Sequence, residues 1–213
     1  MIGQINLSSE AGQMIKKISE FSDVKTIVEI GTWNGAGSTA CVAEGLKTNP
    51  DASLVSFECS KPMYSEAEIY WRDTKNIKIV WGRIVEESEL DVEGISEDEK
   101  GWLQDDLVAM RECDNVYEQV PDIIDFLILD GGEFSTLAEF NKLVNRTKYI
   151  FLDDTRLRKT KKIRQFLLDS DDFVTLEDKQ DILLDSDDFV TLEDKQDRNG
   201  WSVFKRDECT SDK

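Results

Sequence analysis

The apolar positions of this chain alternate between two spacings. Met14, Ile15, Ile18 and Phe21 recur at helical intervals and predict an amphipathic helix over residues 8–21. Thr26–Ile30 follows as a short apolar strand. Next come a glycine-rich turn, Gly31–Gly37, and a helix of small residues, Ser38–Leu46, which Asn49-Pro50-Asp51 ends. Leu54–Phe57 predicts a second strand closed by Glu58, Tyr64–Arg72 a helix, and Ile77–Trp81 a third strand. Trp102, Leu103, Leu107 and Met110 make a further helical stripe. Ile123–Leu129 is almost continuously apolar and ends at Asp130, which suits a central strand buried on both faces. Leu137–Val144 reads as a helix, and Tyr149–Leu152 as a strand ending at Asp153-Asp154. Strands alternating with helices predict an α/β domain: a doubly wound, mostly parallel sheet with helices on both faces.

The last third carries a duplication. Leu167–Asp181 reads LLDSDDFVTLEDKQD, and Leu183–Asp197 repeats it unchanged. Two copies are too few for a solenoid, so the repeat is a tandem duplication, recent or engineered. Phe189–Glu193 and Trp201–Phe204 would pair as an antiparallel C-terminal hairpin across Asp197-Arg198-Asn199-Gly200. One copy of FVTLE suffices for that hairpin, and identical local propensities do not decide which copy supplies it.

At 213 residues the chain fits one domain spanning 1–213, with an N-terminal helix in 1–23, an acidic insertion at 86–120 and the duplication at 167–197. Residues 86–99 hold eight acidic side chains and read as an exposed loop or frayed helix. With 26 Lys and Arg against 45 Asp and Glu, the formal charge is −19. Such a surface repels phosphate backbones and argues against nucleic acid as a partner. The basic run Arg156–Arg164 reads as the solvated face of a helix. Cys41, Cys59, Cys113 and Cys209 lack any pairing or metal-ligand spacing, which suggests free thiols in a reducing compartment. No apolar run is long enough to span a bilayer, so no membrane association and a cytoplasmic location are expected. A homo-oligomer is left open. The chain has no histidine, which excludes Ser-His-Asp and Cys-His catalysis and leaves oxygen ligands for any metal.

Two constellations carry chemistry. The first is Val28-Glu29-Ile30-Gly31-Thr32-Trp33-Asn34-Gly35-Ala36-Gly37-Ser38, a strand running through glycines into a helix that presents free N–H groups. Glu29 can accept a hydrogen bond from an amino group, and Glu58 at the tip of strand two can accept both hydroxyls of a ribose. Together they describe a nucleoside site. The second constellation is acidic: Asp130 and Asp153-Asp154 end strands that a parallel sheet brings to the same edge. Converging carboxylates repel unless a cation neutralises them, and oxygen-only ligands select Mg²⁺ or a similar hard ion. The competing reading is that these are ordinary strand-end aspartates capping loops.

On these residues the chain resembles the class I S-adenosylmethionine-dependent methyltransferases, a Rossmann-like family, over roughly residues 24–205. Their acidic-residue-glycine-xxx-glycine motif matches Glu29-Ile30-Gly31-Thr32-Trp33-Asn34-Gly35, and their acidic residue ending strand two matches Glu58. The resemblance implies that Glu29, Gly31, Thr32, Gly35 and Ser38 hold the methionine portion of S-adenosylmethionine. It implies that Glu58 holds the ribose and that Gly82, Arg83 and Ile84 lie beside the adenine. The family also closes its sheet with an antiparallel hairpin. LDGGEFST followed by FLDDT is similar to the magnesium-dependent O-methyltransferases acting on sugars of macrolide and aminocoumarin antibiotics, and more distantly to catechol-type enzymes. Carried over, Asp130, Asp153 and Asp154 are the Mg²⁺ ligands. This chain departs from the pattern: no lysine follows Asp130 closely, and Gly132, with Glu133 beside it, replaces the sugar enzymes' second acidic residue.

The expected reaction is methyl transfer to a hydroxyl of a small molecule, a sugar or polyol, with Asp130, Glu133 and Asp154 as the catalytic residues and Glu133 or Asp154 as base. The glycine spacing also fits short-chain dehydrogenases, but no tyrosine here has a lysine four residues on. A metal-independent N- or C-methyltransferase and a non-catalytic binding protein with the same fold are the alternatives. The tryptophans Trp33, Trp71, Trp81, Trp102 and Trp201 read as core or cofactor-wall residues rather than an acceptor pocket.

Overall fold

A computed structural model describes residues 5–179 and 199–207. A seven-stranded sheet has the order β3-β2-β1-β4-β5-β7-β6. Its strands are β1 (Thr26–Ile30), β2 (Ser53–Glu58), β3 (Ile77–Trp81), β4 (Ile124–Leu129), β5 (Thr147–Asp153), β6 (Phe173–Lys179) and β7 (Trp201–Arg206). The pairs β1–β2, β1–β4, β2–β3 and β4–β5 are parallel, whereas β7 runs antiparallel to both β5 and β6. This is the Rossmann-like sheet with the C-terminal hairpin expected from the strand–helix alternation.

Among the described residues six helices flank it: α1 (Glu10–Ser19), α2 (Ser38–Leu46), α3 (Lys61–Trp71), α4 (Glu99–Glu112), α5 (Thr136–Leu143) and α6 (Arg158–Asp169). Ser9 caps α1, its hydroxyl accepting from Gly12 N at 3.0 Å. The sheet is buried on both faces, and the parity of the central strands shows it. Val28, Leu127 and Leu129 pack into one apolar cluster, while Ile27, Phe126 and Ile128 pack into the other. Trp201 belongs to the second core, stacked on Phe151 with ring centroids 5.8 Å apart.

The structure decides one choice that the sequence left open and corrects two expectations. The strand pairing with β7 is the first copy of the duplicated segment, Phe173–Lys179. The second copy, including Phe189–Glu193, lies outside the described residues. In α4 the inward stripe is Leu103, Leu107 and Met110; Trp102 is 56% exposed. The basic run around α6 is not wholly solvated, because Lys159 in its first turn is only 7% exposed. Cys41, Cys59 and Cys113 are free thiols, and Cys209 falls outside the described residues. Among the described residues no helix is long and apolar enough to cross a membrane.

Candidate active site

Register brings the chemistry to one edge. Ile30 pairs with Phe57 on one side and Leu129 on the other, and Leu129 pairs with Leu152. Gly31, Glu58, Asp130 and Asp153, each the next residue, therefore emerge together at the carboxyl ends of β1, β2, β4 and β5. The order β2-β1-β4 reverses direction at β1, which opens a crevice at that point. A cavity of about 770 Å³ occupies it, a size suited to a cofactor and a small partner.

The glycine turn shapes one wall. Gly31 has φ +93°, and a Cβ there would stand 2.2 Å from the carbonyl oxygen of Asp130. Only glycine lets the ends of β1 and β4 come so close. Gly35 has φ +77° and packs beneath Trp71, whose Nε1 donates to its carbonyl at 2.8 Å. Trp33, with φ +52°, holds the strained position between them and lines the cavity while 53% exposed as a residue. Helix α2 then starts at Ser38 with no side-chain cap, so its first N–H groups remain available.

Glu58 accepts from Trp33 N and Ser60 N, each at 2.8 Å, one at each carboxylate oxygen. Burial pushes its carboxyl up to about 7 despite those two donors. Glu29 is fully buried and does not line the cavity. Its Oε2 accepts from Thr39 Oγ1 at 2.7 Å and from the Ser56 hydroxyl, which also meets Thr32. Its Oε1 has no hydrogen-bond partner among the described residues. Burial raises its pKa, partly offset by the hydroxyls of Ser38, Ser56 and Thr39. Glu29 thus braces the turn from behind.

Gly82, Arg83 and Ile84 line the cavity as expected. The Arg83 guanidinium is nevertheless committed to protein: Nη1 donates to the carbonyls of Met110 (3.0 Å) and Cys113 at the end of α4, and Nη2 pairs with Glu86 at 3.0 Å. It caps a helix carboxyl end rather than offering charge to a ligand. Gly82 is required by packing, since a Cβ would sit 2.4 Å from Val116 Cγ2. The acidic insertion supplies α4, whose Asp105, Asp106, Ala109 and Met110 form the facing wall.

Asp130, Asp153 and Asp154 also line the cavity, with ligand oxygens all within 4.8 Å of one another. Asp154 has φ +52°, and Asn199 Nδ2 donates to its Oδ1 at 2.8 Å. The acidic cluster has a basic partner from the run that reads as solvated in the sequence. Lys159 Nζ lies 2.7 Å from Asp130 Oδ1 and 2.7 Å from Asp154 Oδ2. Burial opposes its charge, but the carboxylates of Asp130, Asp154 and Asp153 hold its ammonium above the ordinary lysine range. Asp153 is pushed well above the usual carboxylate range by burial and by the charges of Asp130 and Asp154. Among the described residues one lysine faces three clustered carboxylates, and the all-oxygen donor set fits a single hard divalent ion.

Glu133 and Gly35 stand outside the cavity lining. Glu133 Oε1 accepts from Lys159 N at 3.3 Å at the start of α6, and burial raises its pKa. A residue the sequence reading missed is Glu139 on α5, which lines the cavity, is 3% exposed and keeps Oε2 unpartnered among the described residues. Burial pushes it up to about 8, partly offset by the Ser135 hydroxyl.

No family model and no curated protein matches the chain. Solved structures do. The O-methyltransferase from Bacillus cereus in complex with SAH is 14% identical, with 95% of this chain and 83% of that one covered at a TM-score of 0.61. TomG, an O-methyltransferase of Streptomyces achromogenes involved in tomaymycin synthesis and solved with SAM, is 13% identical, with coverages of 95% and 82% and a TM-score of 0.60. An rRNA methylase from Streptococcus thermophilus is 12% identical, with coverages of 93% and 98% and a TM-score of 0.53. At these identities the likeness is one of fold.

Proposed function

We propose that the protein is an S-adenosylmethionine-dependent methyltransferase that methylates a hydroxyl of a small molecule, a sugar or polyol, with help from Mg²⁺. The observation that carries this reading is the joint opening of the glycine turn, Glu58 and the Asp130–Asp153–Asp154 cluster into one cavity at the carboxyl ends of parallel strands. Cofactor-bound O-methyltransferases among the structural neighbours support it.

In this reading Gly31, Thr32 and Ser38 hold the methionine portion, and the glycine bend at Gly35 keeps the turn in shape. Glu29 braces that turn from behind through the hydroxyls of Thr39 and Ser56. Glu58 keeps acceptor capacity for ribose hydroxyls, because each of its oxygens has a second lone pair. Gly82 and Ile84 flank the adenine, and Arg83 fixes α4 over it. Asp130, Asp153 and Asp154 would hold Mg²⁺, which supplies Lewis acidity toward a hydroxyl. The hydroxyl oxygen forms a bond to the methyl carbon while the carbon–sulfur bond breaks, leaving a neutral thioether. Asp154 receives the hydroxyl proton; Glu133, turned toward the start of α6, is the poorer acceptor. Most of the acceleration comes from in-line positioning of the two reactants. An acidic lining that includes Asp105 and Asp106 disfavours phosphorylated acceptors and nucleic acid.

Calorimetric titration with S-adenosylmethionine, with and without Mg²⁺, tests the reading; an absence of cofactor binding refutes it. Asp130→Asn is expected to abolish metal-dependent turnover while sparing cofactor binding, and full activity in that variant removes the metal from the mechanism. The Lys159 ion pairs favour a second reading, a metal-independent transferase in which the ammonium alone balances the aspartates. Turnover undiminished by chelator would select it.

A further inference from the structure

Lys159 is set where a metal would have to share its ligands. It opens α6 immediately after the loop from β5, its side chain is 8% exposed, and its ammonium bridges Asp130 and Asp154 at 2.7 Å each. Asp153 makes no ion pair with it, although all three aspartates offer oxygens within 4.8 Å of one another. Once all three carboxylates are ionised, they and the one ammonium among the described residues leave a formal charge of −2, the charge one divalent ion cancels.

We infer that Lys159 is a built-in counter-cation that shares Asp130 and Asp154 with the divalent metal, holding the cluster together without the ion and weakening the ion's hold when it binds. This rests on the metal-assisted reading above. The physical reason is direct. Ammonium and metal draw on the same carboxylate oxygens, and a positive charge a few ångströms from a divalent ion in a poorly screened site costs the ion well over tenfold in affinity. The arrangement keeps the metal exchangeable and the empty site folded. A lysine with a purely structural role predicts the reverse, because its loss would loosen the aspartates and weaken the metal.

The test measures Mn²⁺ binding to the full chain, followed by the electron paramagnetic resonance of free Mn²⁺, in wild type, Lys159→Met and Lys159→Arg. Lys159→Met is expected to bind Mn²⁺ at least about tenfold more tightly than wild type, and Lys159→Arg to stay near the wild-type affinity. In chelator, Lys159→Met should melt well below wild type and recover when Mn²⁺ is added. Equal or weaker Mn²⁺ binding by Lys159→Met overturns the counter-cation role and leaves the metal reading standing. Failure of both chains to bind Mn²⁺ overturns the two together, while cofactor titration still judges the methyltransferase reading separately. Should Lys159→Met not fold even with Mn²⁺, Lys159→Gln is judged by the same tenfold criterion.

Discussion

Replacing Glu139 with glutamine removes a proton-binding group from the floor of the cavity, and the consequence can be worked out from its surroundings. Glu139 is 3% exposed, has one unpartnered oxygen, and is pushed by burial from 4.5 to about 8. In the unfolded chain it titrates near the ordinary glutamate value. Between those two values the folded state holds a proton that the unfolded state has released, so this group's contribution to stability falls as pH rises and levels off above about 8. Each pH unit in that window is worth about 1.4 kcal/mol. From about pH 6 to about pH 8 the wild-type chain should lose roughly 2–3 kcal/mol of stability through this one residue, a large fraction of a typical folding free energy. Glu139→Gln cannot lose it. Glutamine also supplies an amide that the Ser135 hydroxyl can meet, so the variant should fold. The assay is urea denaturation of the cofactor-free protein at both pH values. The difference between wild type and variant is the quantity read, because Glu58, Asp130 and Asp153 titrate in both chains and largely cancel. A difference that stays constant within about 0.5 kcal/mol across the two pH values would refute the claim that Glu139 is folded in its neutral form.

Other perturbations bear on the remaining parts of the site. Gly31→Ala places a Cβ against the Asp130 carbonyl at a positive φ; it should cost about 1–3 kcal/mol in backbone strain alone and lower SAH affinity at least about tenfold by calorimetry. Unaltered binding would show that the turn is not at the cofactor. Deleting residues 182–197 removes one copy of the duplication and leaves Gln180, Asp181, Arg198, Asn199 and Gly200 between β6 and β7, a length a hairpin accepts. The melting temperature and SAH affinity should be preserved, and a chain that no longer folds would show that the second copy is structural. Arg83→Leu should destabilise the chain by removing the donor that holds the Met110 and Cys113 carbonyls, yet leave discrimination among cofactor analogues unchanged. Altered discrimination would return the guanidinium to the ligand.

Much of the scaffold was legible because it is local. Thr26–Ile30, Ser38–Leu46 and Ile77–Trp81 were bounded in the sequence as they stand in the structure, since apolar periodicity and turn residues mark them directly. The convergence of Gly31, Glu58, Asp130 and Asp153 was legible too, because strand ends in a parallel sheet share an edge. Tertiary packing decided the rest. Lys159 stands in a run of basic residues that reads as solvated, and only the crossover from β5 into α6 turns it under the aspartates. Glu139 looks like any exposed helix carboxylate until α5 docks below Gly131. Arg83 and Glu29 are likewise diverted, one to the end of a helix and the other behind a turn, by partners distant in the chain. The identical copies of FVTLE have identical propensities, so only their positions relative to α6 and β7 could select Phe173–Lys179 for the sheet. Spacing along a chain reports which face a residue occupies; what waits opposite that face is set by the elements that pack against it.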